Sequence, residues 1–221
     1  MRLKIIVGCP ISDRAWILPR YLECVHAQVV DADIELLFHC GKSSDNTEEI
    51  IKNSNAKKLL SNDIGIGSNK RTWNMNRYKL MAGLRNRLLE EICRLDPDYY
   101  FSLDSDILIP EDCVARLLAR EKDAISPLMS MIPNGMCPNV MTFRENSAYR
   151  KKSYMFDGKP MKADVIMAAV LMNRRFYRKV RYREHKLGED VGWSFDARDK
   201  GFELWLDPSI KVRHVMRKEL L

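Results

Sequence analysis

Apolar residues along this chain alternate between short runs and helical stripes. Leu3–Val7 is a β-branched run that stops at Gly8, as a buried strand does where it enters a loop. Trp16–Ala27 has helical character with Pro19 near its start, and Ile34–His39 returns to strand character. Asp45-Asn46-Thr47-Glu48 has N-cap spacing and opens a short helix to about Asn53, with Lys57–Leu60 as a third strand. The clearest stripe is Asn69–Leu95, where Met81, Leu84, Leu88, Ile92 and Leu95 recur at three- and four-residue steps. Asp96-Pro97-Asp98 breaks that helix, and Tyr99–Leu103 is the next strand. Pro110-Glu111-Asp112 begins another helix, and Ala124–Met129 is a further strand.

Such alternation predicts an α/β protein with a parallel sheet covered by helices. The pattern changes after about Pro133. Val140–Arg144 and Val165–Leu171 read as strands, separated by a basic, aromatic loop predicted to lie over a site. Glu189–Lys200 reads as a helix closed by Gly201, followed by two strands, Glu203–Leu206 and Ile210–Val215, around Asp207-Pro208. No Pro/Gly/Ser-rich linker interrupts the chain, so residues 1–221 are expected to form one domain, with parts 1–132 and 133–221.

In parallel sheets ligands bind beyond the carboxyl ends of the strands. Residues 99–106, YYFSLDSD, put two aspartates at such an end. Strand alternation points Asp104 and Asp106 the same way. Two carboxylates about 4 Å apart repel by roughly 4 kcal/mol at an effective dielectric near 20. A positive partner is therefore expected between or beside them, and a hard divalent cation, Mn2+ or Mg2+, suits carboxylate oxygens.

Composition adds limits. The 221 residues are 46% hydrophobic, enough for one sizeable core. The net charge of +7 attracts anions without choosing among them, and basic residues peak at Arg144–Lys152 and Arg174–Lys186. Six cysteines without a C-x-x-C pair fit a reduced compartment. The start MRLKIIVGCP has no full signal-peptide apolar region, and the longest apolar run, Val165–Met172, is too short to span a bilayer. A cytoplasmic protein with no transmembrane segment is expected, with peripheral membrane contact through the basic stretches left open.

Five ordered segments resemble the nucleotide-sugar glycosyltransferases of the GT-A fold, family 2-like. They are IIVGCPISDR, GKSSDNTEEI, LRNRLLEEI, YYFSLDSDIL and GEDVGWSFDARDKGFELWLDPSIKVRHV. The resemblance spans nearly the whole chain. It implies a Rossmann-like GT-A fold, a mixed, mostly parallel sheet flanked by helices, and transfer of one sugar from a nucleotide-diphosphate donor to a hydroxyl acceptor, with inversion. It divides the chain into a nucleotide-sugar-binding part, 1–132, and an acceptor-side part, 133–221.

By the same resemblance, Pro10, Ser12, Asp45, Arg85, Asn86, Asp104 and Ser105 contact the donor, and Asp104, Asp106 and His214 hold the metal. Asp190 is the base that takes the acceptor proton, with Glu189 as its alternate. Trp16, Trp73 and Trp193 can stack on sugars, Trp193 being the best placed for the acceptor. Asp45 equally suits a helix N-cap. Cys40-Gly41-Lys42 stands where the family carries an earlier aspartate, which leaves the base open. The Q-x-x-R-W pattern of processive members is absent, which favours single-sugar transfer. The basic stretches suit an anionic acceptor. Two alternatives share these features: a nucleotidyltransferase acting on a sugar phosphate, and a basic nucleic-acid-binding module.

Overall fold

A computed structural model describes residues 2–54, 56–60, 74–132, 136–151 and 153–221. The predicted helix start at 69–73, with Trp73, lies outside the described residues, as do Pro133 and Lys152. In chain order the first part holds β1 (Leu3–Gly8), β2 (Pro10–Ile11), α1 (Leu18–His26), β3 (Ala32–Cys40), α2 (Thr47–Asn53) and β4 (Lys57–Leu60). It continues with α3 (Met75–Leu95), β5 (Tyr99–Leu103), β6 (Ile107–Leu108), α4 (Cys113–Leu118) and β7 (Ala124–Leu128). The second part holds β8 (Val140–Arg144), β9 (Ser147–Tyr149), β10 (Met161–Ala163), β11 (Val165–Ile166), β12 (Ala169–Asn173) and α5 (Arg174–Tyr177). Then come α6 (Glu189–Asp199), β13 (Leu204–Lys211) and β14 (Arg213–His214).

The main sheet runs β10-β13-β7-β12-β5-β1-β3-β2, with β4 beside β3. Its β1, β3 and β5 are parallel neighbours, while β12 enters antiparallel between β5 and β7. The sheet is thus mixed and mostly parallel, flanked by helices, the Rossmann-like α/β arrangement expected. Strands from both parts of the chain build it.

Both faces are covered, which explains why the strands are continuously apolar. Ile5, Val7, Leu36, Phe38, Phe101 and Leu103 pack on one side with Leu18, Tyr21 and Val25 of α1 and Val114 and Leu117 of α4. The alternate positions Ile6, Leu37 and Tyr100 face the other side, against Leu88, Leu89 and Ile92 of α3 and Phe176 and Trp193. The predicted α3 stripe is therefore a core face: Met81, Leu84, Leu88 and Ile92 are all buried. Gly8 ends β1 where a Cβ would stand 1.7 Å from the Leu37 carbonyl oxygen, so only glycine lets these backbones pass.

The last third departs from the expected elements. Val165–Leu171 is two strands rather than one: β11 joins the small sheet β11-β8-β9, and β12 joins the main sheet. Between them Ala168 takes a left-handed backbone with φ 72°. The basic stretch between Arg144 and Val165 contains β9 and β10 and is not a plain loop. Asp207-Pro208 lies inside a single strand, β13, whose register shifts against β7 between Asp207 and Lys211. Pro208 has no N–H for the ladder, and the chain bulges instead of turning.

Candidate active site

A cavity of about 530 Å³ opens at the carboxyl ends of the central strands. Four carboxylates line it, Asp104, Asp106, Glu189 and Asp190, with four guanidinium groups, Arg14, Arg77, Arg85 and Arg150, and His214. Pro10, Ser12 and Ser105 also line it.

Local backbone geometry brings the acids in. The Tyr21 hydroxyl donates to the Leu103 carbonyl (3.0 Å) and anchors α1 on the end of β5. The Asp104 N–H donates to the carbonyl of Ala168 (2.9 Å), so the strained turn before β12 fixes the first aspartate. The Ile107 N–H returns to the Asp104 carbonyl (3.0 Å), closing a tight turn around Ser105 and Asp106. Straight after it, β6 pairs with β14, setting Ile107 opposite His214. That pairing delivers the terminal histidine to Asp106, with Nε2 3.6 Å from a carboxylate oxygen.

Each aspartate has its own cation. Arg85, buried on α3, donates to both oxygens of Asp104 (2.9 and 3.2 Å), to Glu189 (3.2 Å) and to the Ser102 hydroxyl (3.4 Å). All of these partners lie on elements other than its own helix. Asp104, expected as a metal ligand, is occupied by this fork. Asp106 faces Arg14 (3.4 Å) and His214. Burial works against the Asp106 charge, yet His214 and Arg14 hold its carboxyl below the ordinary range. Burial likewise opposes a charge on His214, but Asp106 outweighs it and lifts the imidazole above its usual value. Among the described residues, no group of three or more His, Cys, Asp or Glu side chains is arranged to hold a metal ion.

Helix α6 supplies the second acid pair. Gly188 precedes it with φ 130°, and Gly192 packs so tightly that a Cβ would lie 2.1 Å from the Arg183 carbonyl oxygen. Glu189 is 4% exposed and tied to Arg85. No ion pair engages Asp190 among the described residues. Desolvation first, and the neighbouring Glu189 next, push the Asp190 carboxyl well above its ordinary value. A carboxyl so perturbed and facing a cavity suits proton transfer.

Three predicted contacts fall elsewhere. Asn86 is a clamp: its amide donates to the Tyr182 carbonyl and accepts the Tyr182 N–H (both 2.8 Å). Trp193 is 1% exposed and packs against Phe176 and Tyr182, so it has no face for an acceptor sugar. Asp45 accepts the N–H groups of Ala15 (2.9 Å) and Thr47 (3.0 Å), bracing the loop before α1 against α2. It does not line the cavity, and it is not the helix cap either: Asn46 stands at that position, and Asp45 closes an Asx turn onto Thr47.

Three lining arginines were missed: Arg14, Arg77 near the start of α3, and Arg150. Arg14 sits in the strand–loop segment at a strand carboxyl end, and that placement was the available signal. Arg150 had none beyond its basic surroundings. It is fixed by the Pro138 and Val140 carbonyls and the Met167 sulfur, contacts that only the folded chain creates.

The sheet and its cavity define a GT-A-like fold, the architecture of nucleotide-sugar glycosyltransferases. No family profile matches the chain, and no curated protein matches it significantly in sequence. Solved structures do match. GalNAc-T7, crystallised with UDP, GalNAc and Mn2+, superposes with a TM-score of 0.66 at 16% identity, covering 98% of this chain and 44% of its own. TarS 1-349 of S. aureus, in complex with UDP-GlcNAc, gives 0.63 at 14% identity, covering 98% of this chain and 59% of its own. A mycobacterial protein gives 0.58 at 13% identity, covering 99% and 70%. This chain therefore spans less than two thirds of GalNAc-T7 and of TarS 1-349. Among the described residues no helix is long and apolar enough to cross a membrane.

Proposed function

We propose that this chain transfers one sugar from a nucleotide-diphosphate donor to a hydroxyl acceptor, with inversion at the sugar carbon. The observation that carries the proposal is the convergence of Asp104, Asp106, Asp190 and the arginines on one cavity at the strand carboxyl ends. The likeness of fold to proteins crystallised with UDP, or with UDP-GlcNAc, supports it.

The donor's diphosphate meets Arg14, with Ser12 and Pro10 lining the same wall. Asp106 and His214 offer one carboxylate and one imidazole, donors that fit Mn2+ or Mg2+ when phosphate oxygens complete the shell. A cation held there stabilises the charge that develops on the departing diphosphate. Asp104, fixed by Arg85, is left to orient the donor rather than to bind metal. Asp190 takes the acceptor hydroxyl proton as that oxygen attacks the sugar carbon. Its raised affinity for protons makes it a competent base in a desolvated site. Glu189, locked to Arg85, keeps Asp190 in an acidic surrounding and is not the base.

The test is a panel of UDP- and GDP-sugars incubated with the protein and Mn2+, reading nucleoside diphosphate release with and without candidate hydroxyl acceptors. Acceptor-stimulated release of UDP or GDP, with an inverted anomeric centre in the product, is expected. Release of pyrophosphate would instead identify nucleotidyl transfer, and a retained centre would remove Asp190 from its role.

A further inference from the structure

Arg14 is presented by an unusually well fastened loop. Its own N–H donates to the Thr47 hydroxyl (2.6 Å), and the next N–H, of Ala15, donates to Asp45 (2.9 Å). On the other side Asp13 takes a left-handed φ of 51°, and its carboxylate accepts the Ser44 N–H (2.7 Å) and hydroxyl (2.9 Å). These contacts account for why Asp45 stays out of the cavity: it holds the loop that projects the guanidinium.

That guanidinium is oversupplied with donors. One terminal nitrogen faces Asp106 (3.4 Å) and the other its neighbouring Asp13 carbonyl (3.3 Å), both at the long end of the hydrogen-bond range. The buried Nε finds no partner among the described residues. Nor does the hydroxyl of Ser12, a residue 4% exposed on the same loop and lining the same cavity. Buried donors are normally paired, so two orphans on one loop lining the cavity point to a ligand rich in acceptor oxygens. A diphosphate is such a ligand, and a planar guanidinium matches it.

We infer that Arg14 and a divalent cation compete for the Asp106 carboxylate, and that Arg14 is the chain's own phosphate-binding cation. Without metal, Arg14 neutralises Asp106 and still reaches a nucleoside diphosphate through its spare donors. With metal, Asp106 passes to the ion and the guanidinium turns wholly to the phosphates. The inference rests on the donor reading given above. It adds to the expected metal set of Asp104, Asp106 and His214 an arginine already seated on Asp106.

The test compares wild type, Arg14→Gln and Arg14→Lys, each first shown to be folded by its melting transition. Mn2+ binding without nucleotide is read from the electron paramagnetic resonance of free Mn2+. UDP and GDP binding in EDTA is read by calorimetry. Arg14→Gln should bind Mn2+ about tenfold more tightly and UDP or GDP in EDTA about tenfold less tightly, the scale of a lost charge-assisted bond. Adding Asp106→Asn should abolish the gain in Mn2+ affinity. Should Arg14→Gln not fold, Arg14→Lys decides: it keeps the charge without the fork, and should lose affinity for UDP or GDP in EDTA. Unchanged or weaker Mn2+ binding by Arg14→Gln, or no Mn2+ binding by any variant, overturns the competition. If neither nucleotide binds wild type with or without Mn2+, the donor reading fails, while the Mn2+ comparison still decides the competition for Asp106.

Discussion

Replacing Arg85 by methionine keeps most of the side-chain volume and removes the cation between Asp104 and Glu189. Arg85 is 5% exposed, and its fork makes four contacts of 2.9 to 3.4 Å to three residues. Without it Glu189 becomes a buried carboxylate beside a second acid, Asp190. Breaking a buried ion pair from one side destabilises by about 3–5 kcal/mol, because the remaining charge is desolvated and unpaired. Asp104 adds less, since its side chain is 29% exposed and water can reach it. A loss of about 3–5 kcal/mol at pH 7 is therefore expected in urea unfolding followed by tryptophan fluorescence.

Glu189→Gln in the Arg85→Met background should recover part of the loss, because it removes the orphaned charge. A loss below about 1 kcal/mol at pH 7, or no recovery in the double variant, would refute the account of Arg85 as the buried bridge.

Asp190→Asn should leave nucleoside diphosphate binding intact by calorimetry while lowering the rate of sugar transfer by about 10²–10⁴-fold, the usual contribution of a positioned base. Gly8→Ala should lower the melting temperature, since its Cβ meets the Leu37 carbonyl oxygen at 1.7 Å and neither backbone can yield without disturbing β1 and β3. A loss of at least 1–3 kcal/mol, about that of an overpacked core, is expected by calorimetric unfolding. Asp207 resists burial of its charge through the Ser209 hydroxyl (2.6 Å) and Arg120 (2.7 Å), which hold its carboxyl below the ordinary value. Its stabilisation is present above the unfolded carboxylate pKa of about 4 and lost as pH falls through the lower folded value. Asp207→Asn should therefore be less stable at pH 7 and lose less stability between pH 5 and pH 2, as read from melting temperatures.

The amino-acid pattern alone determined the α/β class, most of the strands and helices, and the end of the sheet at which polar residues gather. The reason is local: period-two and period-3.6 burial, caps and breakers act over a few residues and remain visible without the fold. Leu3–Gly8, Tyr99–Leu103 and Glu189–Asp199 needed nothing more. Tertiary structure decided which polar side chains share a space. Arg85 and Glu189 are 104 residues apart, Arg14 and Asp106 are 92 apart, and no periodicity links such pairs. The same holds in reverse for Asn86 and Trp193, whose helical positions carry no label of which neighbour will cover them. Only the packing of α3 against α6 and of Tyr182 between them made one a backbone clamp and the other a core ring. The split at Ala168 and the bulge at Pro208 also arose there, because each answers to pairing partners far away in the chain.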